Sequence, residues 1–267
     1  MRRILLGGTA VDLCREDEIL ELVGERLRGG AHRPPLAVAS ANLDHVHHFG
    51  RRGRSAGLLD ADGARPEWLV LLDGAPLVRR AAAVTGQPWP ALAGSDLLPR
   101  VLAVAEDGAA PVGFLGGTPA QRYRLEVVLA TRYPALKVPG HWCPQRADLT
   151  DDEASRELAR DIRAAGVDVL VVGLGKPRQE AWIQRYAPAT GARVLLAFGA
   201  AADFLAGTAA RAPHWVRRAG AEWLYRFARE PRRLARRYWL EGPPAMVRLW
   251  TASSPDGPGP SAPGKAG

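Results

Sequence analysis

Cysteine is nearly absent. Cys14 and Cys143 are the only two in 267 residues, which rules out a disulfide framework, and neither stands in a CxxC or Cys/His spacing that would hold zinc. A reducing compartment is the natural expectation. Long apolar runs are also missing, since nothing approaches the roughly 18 uninterrupted apolar residues of a spanning helix. The opening MRRILLGGTAVDLCRED carries two arginines and a short apolar stretch, but Asp12 interrupts it and no small-residue cleavage site follows, so no signal peptide is expected. The cytoplasm is the default location. There is no internal repeat, and neither a P-loop nor GxGxxG occurs, so the standard phosphate-binding fingerprints are excluded.

What is present is a hydrophobic fraction of 47 %, enough for a sizeable core, and a net charge of +8. The charge is concentrated. Between Arg211 and Leu240 there are nine Arg, no Lys and two Glu, a net +7 within 30 residues. Half of the eight Trp also fall late, at Trp215, Trp223, Trp239 and Trp250. A basic, aromatic segment implies an anionic partner.

Short apolar runs at 2–8, 35–40, 67–74, 111–117, 135–140, 167–175 and 193–199 alternate with helical stretches such as Glu16 to Leu27, Thr118 to Tyr133 and Thr150 to Ala165. That alternation predicts an α/β, Rossmann-like fold, a mainly parallel sheet with helices on both faces. Thr150 is expected to cap its helix, whose first turn carries Asp151, Asp152 and Glu153. The strands stop near residue 207. The expected organisation is therefore a catalytic domain at 1–207, an Arg/Trp-rich helical appendage at 208–251 and a disordered Pro/Gly/Ser-rich tail at 252–267.

Open parallel sheets bind ligands beyond the C-terminal ends of their strands, so the polar residues after each apolar run are the candidates. They are Ser40 and Asn42, then Asp73 and Gly74, then Gly116, Gly117 and Thr118, then Gly173, Gly175, Lys176 and Gln179. Glycine admits a phosphate to the backbone, and a following helix start offers free amides. A diphosphate-containing ligand fits, although a glycine pair after a strand also serves as an ordinary turn. Asp73 ends the apolar run WLVLL, where a carboxylate at the edge of a low-dielectric crevice suits a general base. An ordinary turn Asp before Gly is the alternative.

The stretches SANLDHV, LLDGAPLV, AGSDLL, GFLGG, VVGLGKPRQEAWI, FGAAADFLAGTAARAPHWV and AEWLYRFAREPRRLARRY follow one another in the order of known motifs. Over roughly residues 4–240 the chain resembles the WecG/TagA/CpsF glycosyltransferase family. The order of GxPRQE, RAPxW and EWLYRxxxEPRR carries that resemblance. By resemblance, the family's Thr-x-Asn motif falls on Ser40, Ala41 and Asn42, its proposed base on Asp73 and its nucleotide-contacting Gln on Gln179. Its functional arginines fall on Arg226, Arg233 and Arg236, and Arg211 of the RAPxW stretch joins the substrate-binding candidates. The resemblance implies a UDP-activated amino sugar as donor, typically N-acetylmannosamine or its uronic acid. The implied acceptor is an undecaprenyl-diphosphate-linked N-acetylglucosamine. Two positions depart from the pattern. Ser40 replaces the usual Thr, and Ala200 stands where a second Gly is common, which leaves the sugar open.

Chemistry and resemblance together give an inverting transfer in which Asp73 accepts the proton of the acceptor hydroxyl and arginines stabilise the departing diphosphate. No cofactor is expected. The triplet Asp60-Ala61-Asp62 precedes its strand instead of following it and reads as a turn, and His45, His47 and His48 read as a solvated helix face. The expected partners are the UDP-sugar, the lipid-linked sugar and an anionic membrane surface at the inner face of the cell membrane, with no nucleic acid. Oligomeric state is left open. A nucleic-acid-binding module would explain the basic segment but not the strand-end residues, and an epimerase would explain the crevice but not the basic helices.

Overall fold

The structure, a computed structural model, describes residues 1–29, 33–60, 66–207 and 237–257. Its strands are β1 (Arg2–Leu6), β2 (Thr9–Leu13), β3 (Leu36–Ala41), β4 (Glu67–Leu72), β5 (Val112–Gly116), β6 (His141–Trp142), β7 (Val169–Gly173) and β8 (Val194–Ala197). They form one sheet in the order β1-β2-β4-β3-β8-β7-β5-β6, antiparallel between β1 and β2 and parallel elsewhere. The helices are α1 (Glu16–Arg28), α2 (Leu43–Phe49), α3 (Ala75–Thr85), α4 (Gly94–Asp107), α5 (Pro119–Arg132), α6 (Asp152–Ala164), α7 (Arg178–Thr190), α8 (Ala201–Leu205) and α9 (Gly242–Thr251). A π-helical turn, Arg237–Glu241, leads into α9.

Strand side chains alternate between faces, and both faces are apolar because both are covered. Ala37, Ala39 and Ala41 of β3, with Leu170 and Val172 of β7, pack beneath α2, α3, α6, α7 and α9. Leu36, Val38, Val169 and Val171 point the other way, beneath α1, α4, α5 and α8. Each fully buried Leu or Val contributes on the order of 1.5–3 kcal/mol, so the two cores anchor the strands whose ends carry the site. The expected Rossmann-like architecture is the one observed.

Four local expectations are corrected. The run at 2–8 is half of a hairpin, because Gly7 and Gly8 both take positive φ (63° and 83°) and reverse the chain into β2. Asp12, which had read only as an interruption, sits in β2 opposite Arg3. It accepts from that guanidinium at 2.7 Å and from the Val70 amide at 2.8 Å. Residues 135–140 form no strand, since only His141 and Trp142 pair with β5. Helix α6 is capped by Asp151, whose side chain accepts from the Ala154 amide, while the Thr150 hydroxyl donates to the Ala147 carbonyl.

The C-terminal end differs as well. Helix α9 belongs to the expected appendage, yet Ala245 and Leu249 are completely buried in the core beneath the sheet. Beyond it, Ser254 pairs with Leu5 as an antiparallel bridge along β1, so the described part of the expected disordered tail lies against the sheet edge.

Candidate functional site

The loops leaving the C-terminal ends of the parallel strands diverge. Those after β3, β4 and β7 lead to helices on one face, and those after β5 and β8 lead to α5 and α8 on the other. Divergence of this kind opens a crevice. A cleft of about 390 Å³ lies there, lined by Phe114, Gly116, Gly117, Gln121, His141, Gly173, Gly199 and Asp203 among others.

One of its glycines is sterically required. Gly116 has φ of 110°, and a Cβ there would stand 2.4 Å from the Gly173 carbonyl on the neighbouring strand. Gly117 opens α5, where Thr118 and Gln121 form a capping box. The Gln121 amide also donates to Asp203 at 2.8 Å, joining the first turns of α5 and α8 across the cleft. His141 lines the same wall and donates through Nε2 to the Gly116 carbonyl at 3.0 Å. Burial lowers its pKa, with the Gly116 bond opposing and Arg122 assisting.

The other half of the site lies at the ends of β3 and β4. Asp73 follows β4, and its amide donates to the Ala41 carbonyl at 2.9 Å. Asn42 caps α2 by accepting from the His45 amide at 3.2 Å, and Gly74, with φ of 80°, lies beside the Asn42 side chain. Ser40, Asn42, Asp73 and Gly74 are thereby brought together.

Behind them the β7–α7 loop is pinned by buried polar groups. Gln179 is 2 % exposed; its amide nitrogen donates to the Ala197 carbonyl at 2.8 Å, and its oxygen accepts from Gly175 at 3.2 Å. These bonds tie the loop to the end of β8. The side chain expected to touch a nucleotide is thus engaged by the protein. Lys176, expected at a phosphate, reaches instead to the Ser40 carbonyl at 2.5 Å and to His45 Nδ1 at 3.5 Å. Glu180 is fully buried, and burial raises its pKa against the opposing effect of Lys176.

Sequence reasoning missed several of these groups. Gln121 and Asp203 sit one turn into the helices that follow glycine-ended strands, a position that could have been scanned. His141 and Glu180 carried no comparable signal. The expected solvated face of His45, His47 and His48 is corrected, because His45 is fully buried and the other two are partly so. Asp60 is exposed before β4, while Ala61 and Asp62 lie outside the described residues. Arg211, Arg226, Arg233 and Arg236 also lie outside the described residues.

A mainly parallel sheet with a glycine-lined crevice at its strand ends defines a Rossmann-like α/β protein. Residues 4–256 match the model of the Glycosyl transferase WecG/TagA/CpsF family, and the chain belongs to that family. It is similar to the N-acetylglucosaminyldiphosphoundecaprenol N-acetyl-beta-D-mannosaminyltransferase of Bacillus subtilis (strain 168), 27 % identical over 167 residues, 62 % of this chain and 63 % of that protein. A protein of the same name from Staphylococcus aureus (strain MRSA252) is 26 % identical over the same proportions. The match spans just under two thirds of these curated relatives.

Proposed function

We propose that the protein is an inverting glycosyltransferase that moves N-acetylmannosamine, or its uronic acid, from UDP to a polyprenyl-diphosphate-linked amino sugar. The observation that carries this reading is the bonding of Asp73 to the Ser40–Asn42 end of β3, on the same strand-end edge as the glycine-lined cleft. Strands β4 and β7 are three spacings apart, about 14 Å at roughly 4.8 Å each. An extended nucleoside diphosphate sugar held over β5, β7 and β8 would therefore present its sugar towards β4. Family membership and the names of the similar proteins support the donor and acceptor classes.

In the proposed reaction the acceptor hydroxyl loses its proton to Asp73 as its oxygen attacks the anomeric carbon. The bond from that carbon to the diphosphate breaks on the opposite face, UDP leaves with the electron pair, and the configuration inverts. Arg211, Arg226, Arg233 and Arg236 are assigned to the diphosphates, which guanidinium forks match as fixed positive charge.

The lipid acceptor places the enzyme at a membrane. Among the described residues no helix is long and apolar enough to cross one. Trp239, Leu240, Val247 and Trp250 are more than half exposed around α9, next to the arginine-rich segment. Apolar side chains beside arginines suit the headgroup region of the anionic inner leaflet, where each basic residue contributes about 1 kcal/mol. The test of the reading is a panel of UDP-sugars offered with a polyprenyl-diphosphate-linked N-acetylglucosamine, with UDP release as the readout. Acceptor-dependent release from an amino-sugar donor supports it, and no release from any donor, or isomerisation of the donor with UDP still attached, overturns it.

A further inference from the structure

The end of β3, Ser40-Ala41-Asn42, is fastened at three successive residues to three different elements. The Ser40 carbonyl accepts from Lys176 of the β7–α7 loop, the Ala41 carbonyl accepts from Asp73, and the Asn42 side chain accepts from His45 in α2. The first of these contacts has a topological origin. Strand β3 pairs with β8 only as far as Ala39 opposite Ala197, whereas it pairs with β4 to Ala41. Carbonyls alternate sides along a strand, and that of Ala41 faces the β4 side, so that of Ser40 faces β8 beyond the end of its pairing. A backbone acceptor at the mouth of the crevice would lack a strand partner there, and the Lys176 ammonium supplies one.

The lysine is itself oriented. An ammonium carries only donors, so His45 Nδ1, 3.5 Å away, must offer its lone pair, which puts the ring proton on Nε2. That proton faces the Thr9 hydroxyl of β2 at 3.4 Å. Burial, then the charge of Lys176 and then His48 push the His45 pKa well below its ordinary value, which keeps this tautomer available as an acceptor. The ring also packs on Phe49, with centroids 4.6 Å apart, so it has little freedom to turn.

We propose that Lys176 and His45 are a positioning pair that holds the Ser40–Asn42 end of β3, and through the Ala41 carbonyl the backbone of Asp73, at the height the transfer requires. Neither residue touches the reacting atoms. The proposal rests on the reading of Asp73 as the base, and it deepens that reading by naming what sets the position of the base.

The test compares His45→Leu, Lys176→Met, their combination and His45→Asn, whose side-chain oxygen can replace Nδ1 as acceptor. Two readouts are taken, steady-state transfer and amide hydrogen exchange at Ala41, Asn42 and Asp73. His45→Leu and Lys176→Met are each expected to lower kcat by about 10- to 100-fold with donor KM nearly unchanged, as a misplaced catalytic group does. The double variant should be no worse than the poorer single, and His45→Asn should recover most of the loss. Exchange at the three amides should quicken in both single variants while exchange in β7 stays unchanged. Wild-type kcat and exchange in either single variant would overturn the pair. So would a loss that tracks thermal stability alone and is not recovered by His45→Asn. If the unaltered protein transfers no sugar, the proposed function fails, and the exchange readout still decides whether the pair holds the end of β3.

Discussion

Gly116 and Gly175 both hold positive φ at the crevice, but for different reasons, and substitution separates them. At Gly116 a methyl group meets the Gly173 backbone at 2.4 Å, whereas at Gly175 its one neighbour among the described residues is the Arg178 side chain at 3.7 Å. Gly175→Ala is therefore expected to cost only the left-handed backbone term, about 1–2 kcal/mol. Gly116→Ala adds overpacking of about 1–3 kcal/mol against a backbone that cannot yield. Urea denaturation of the two variants checks the order, and equal loss would show that the strands part more easily than their register implies. At Asp60 the expectation concerns metal. It is exposed ahead of β4 and acts on Arg3, at the end of the strand away from Asp73. Transfer is expected to survive EDTA, because arginines are assigned to the leaving group. Loss restored by Mg²⁺ or Mn²⁺ would overturn that assignment. The glycines were legible because a Gly directly after an apolar run marks a strand end, whether it serves a ligand or a turn. The direction of Lys176 was not, since its partners lie 131 and 136 residues away and only the fold brings them together.

At the scale of elements, α9 shows where composition misleads. A run beginning Gly-Pro-Pro after an arginine-rich stretch reads as part of a detached appendage. Yet Ala245 and Leu249 fill the core beside α2 and α3, and Arg80 stacks on Trp250. Leu249→Ala is expected to destabilise the whole protein by about 2–5 kcal/mol, as buried Leu truncations do. A chain ending near Ala206 is expected to lose cooperative unfolding, visible by calorimetry; a sharp transition at the full-length Tm would restore the expected 1–207 boundary. The central strands were legible because they are fully buried and read as continuous apolar runs. The β2 strand was masked by Asp12, whose partner Arg3 is supplied by the facing strand. At 135–140 the Lys137 and Gly140 carbonyls accept from Val112 and Phe114 of β5 while Leu136 and Val138 pack on the core, so the segment lies along the sheet edge without forming a strand, a distinction that periodicity does not make.

Across the whole molecule, a net charge of +8 with most of the excess within residues 211–240 would make the proposed membrane association electrostatic as well as apolar. Binding to anionic vesicles is expected to weaken steeply as salt rises through the range where the Debye length falls from about 10 Å to 3 Å. Trp250→Ala should reduce the part that survives high salt, measured by co-sedimentation, and unchanged binding would remove α9 from the docking surface. Asp73 is proposed to drive transfer of an amino sugar from UDP to a lipid-linked acceptor. The most direct test sets the wild type beside Asp73→Asn, with UDP-N-acetylmannosamine and polyprenyl-diphosphate-linked N-acetylglucosamine in anionic vesicles, while UDP affinity is measured in parallel. The account predicts acceptor-dependent UDP release that falls by orders of magnitude in Asp73→Asn while UDP affinity holds; equal release from both proteins would contradict it.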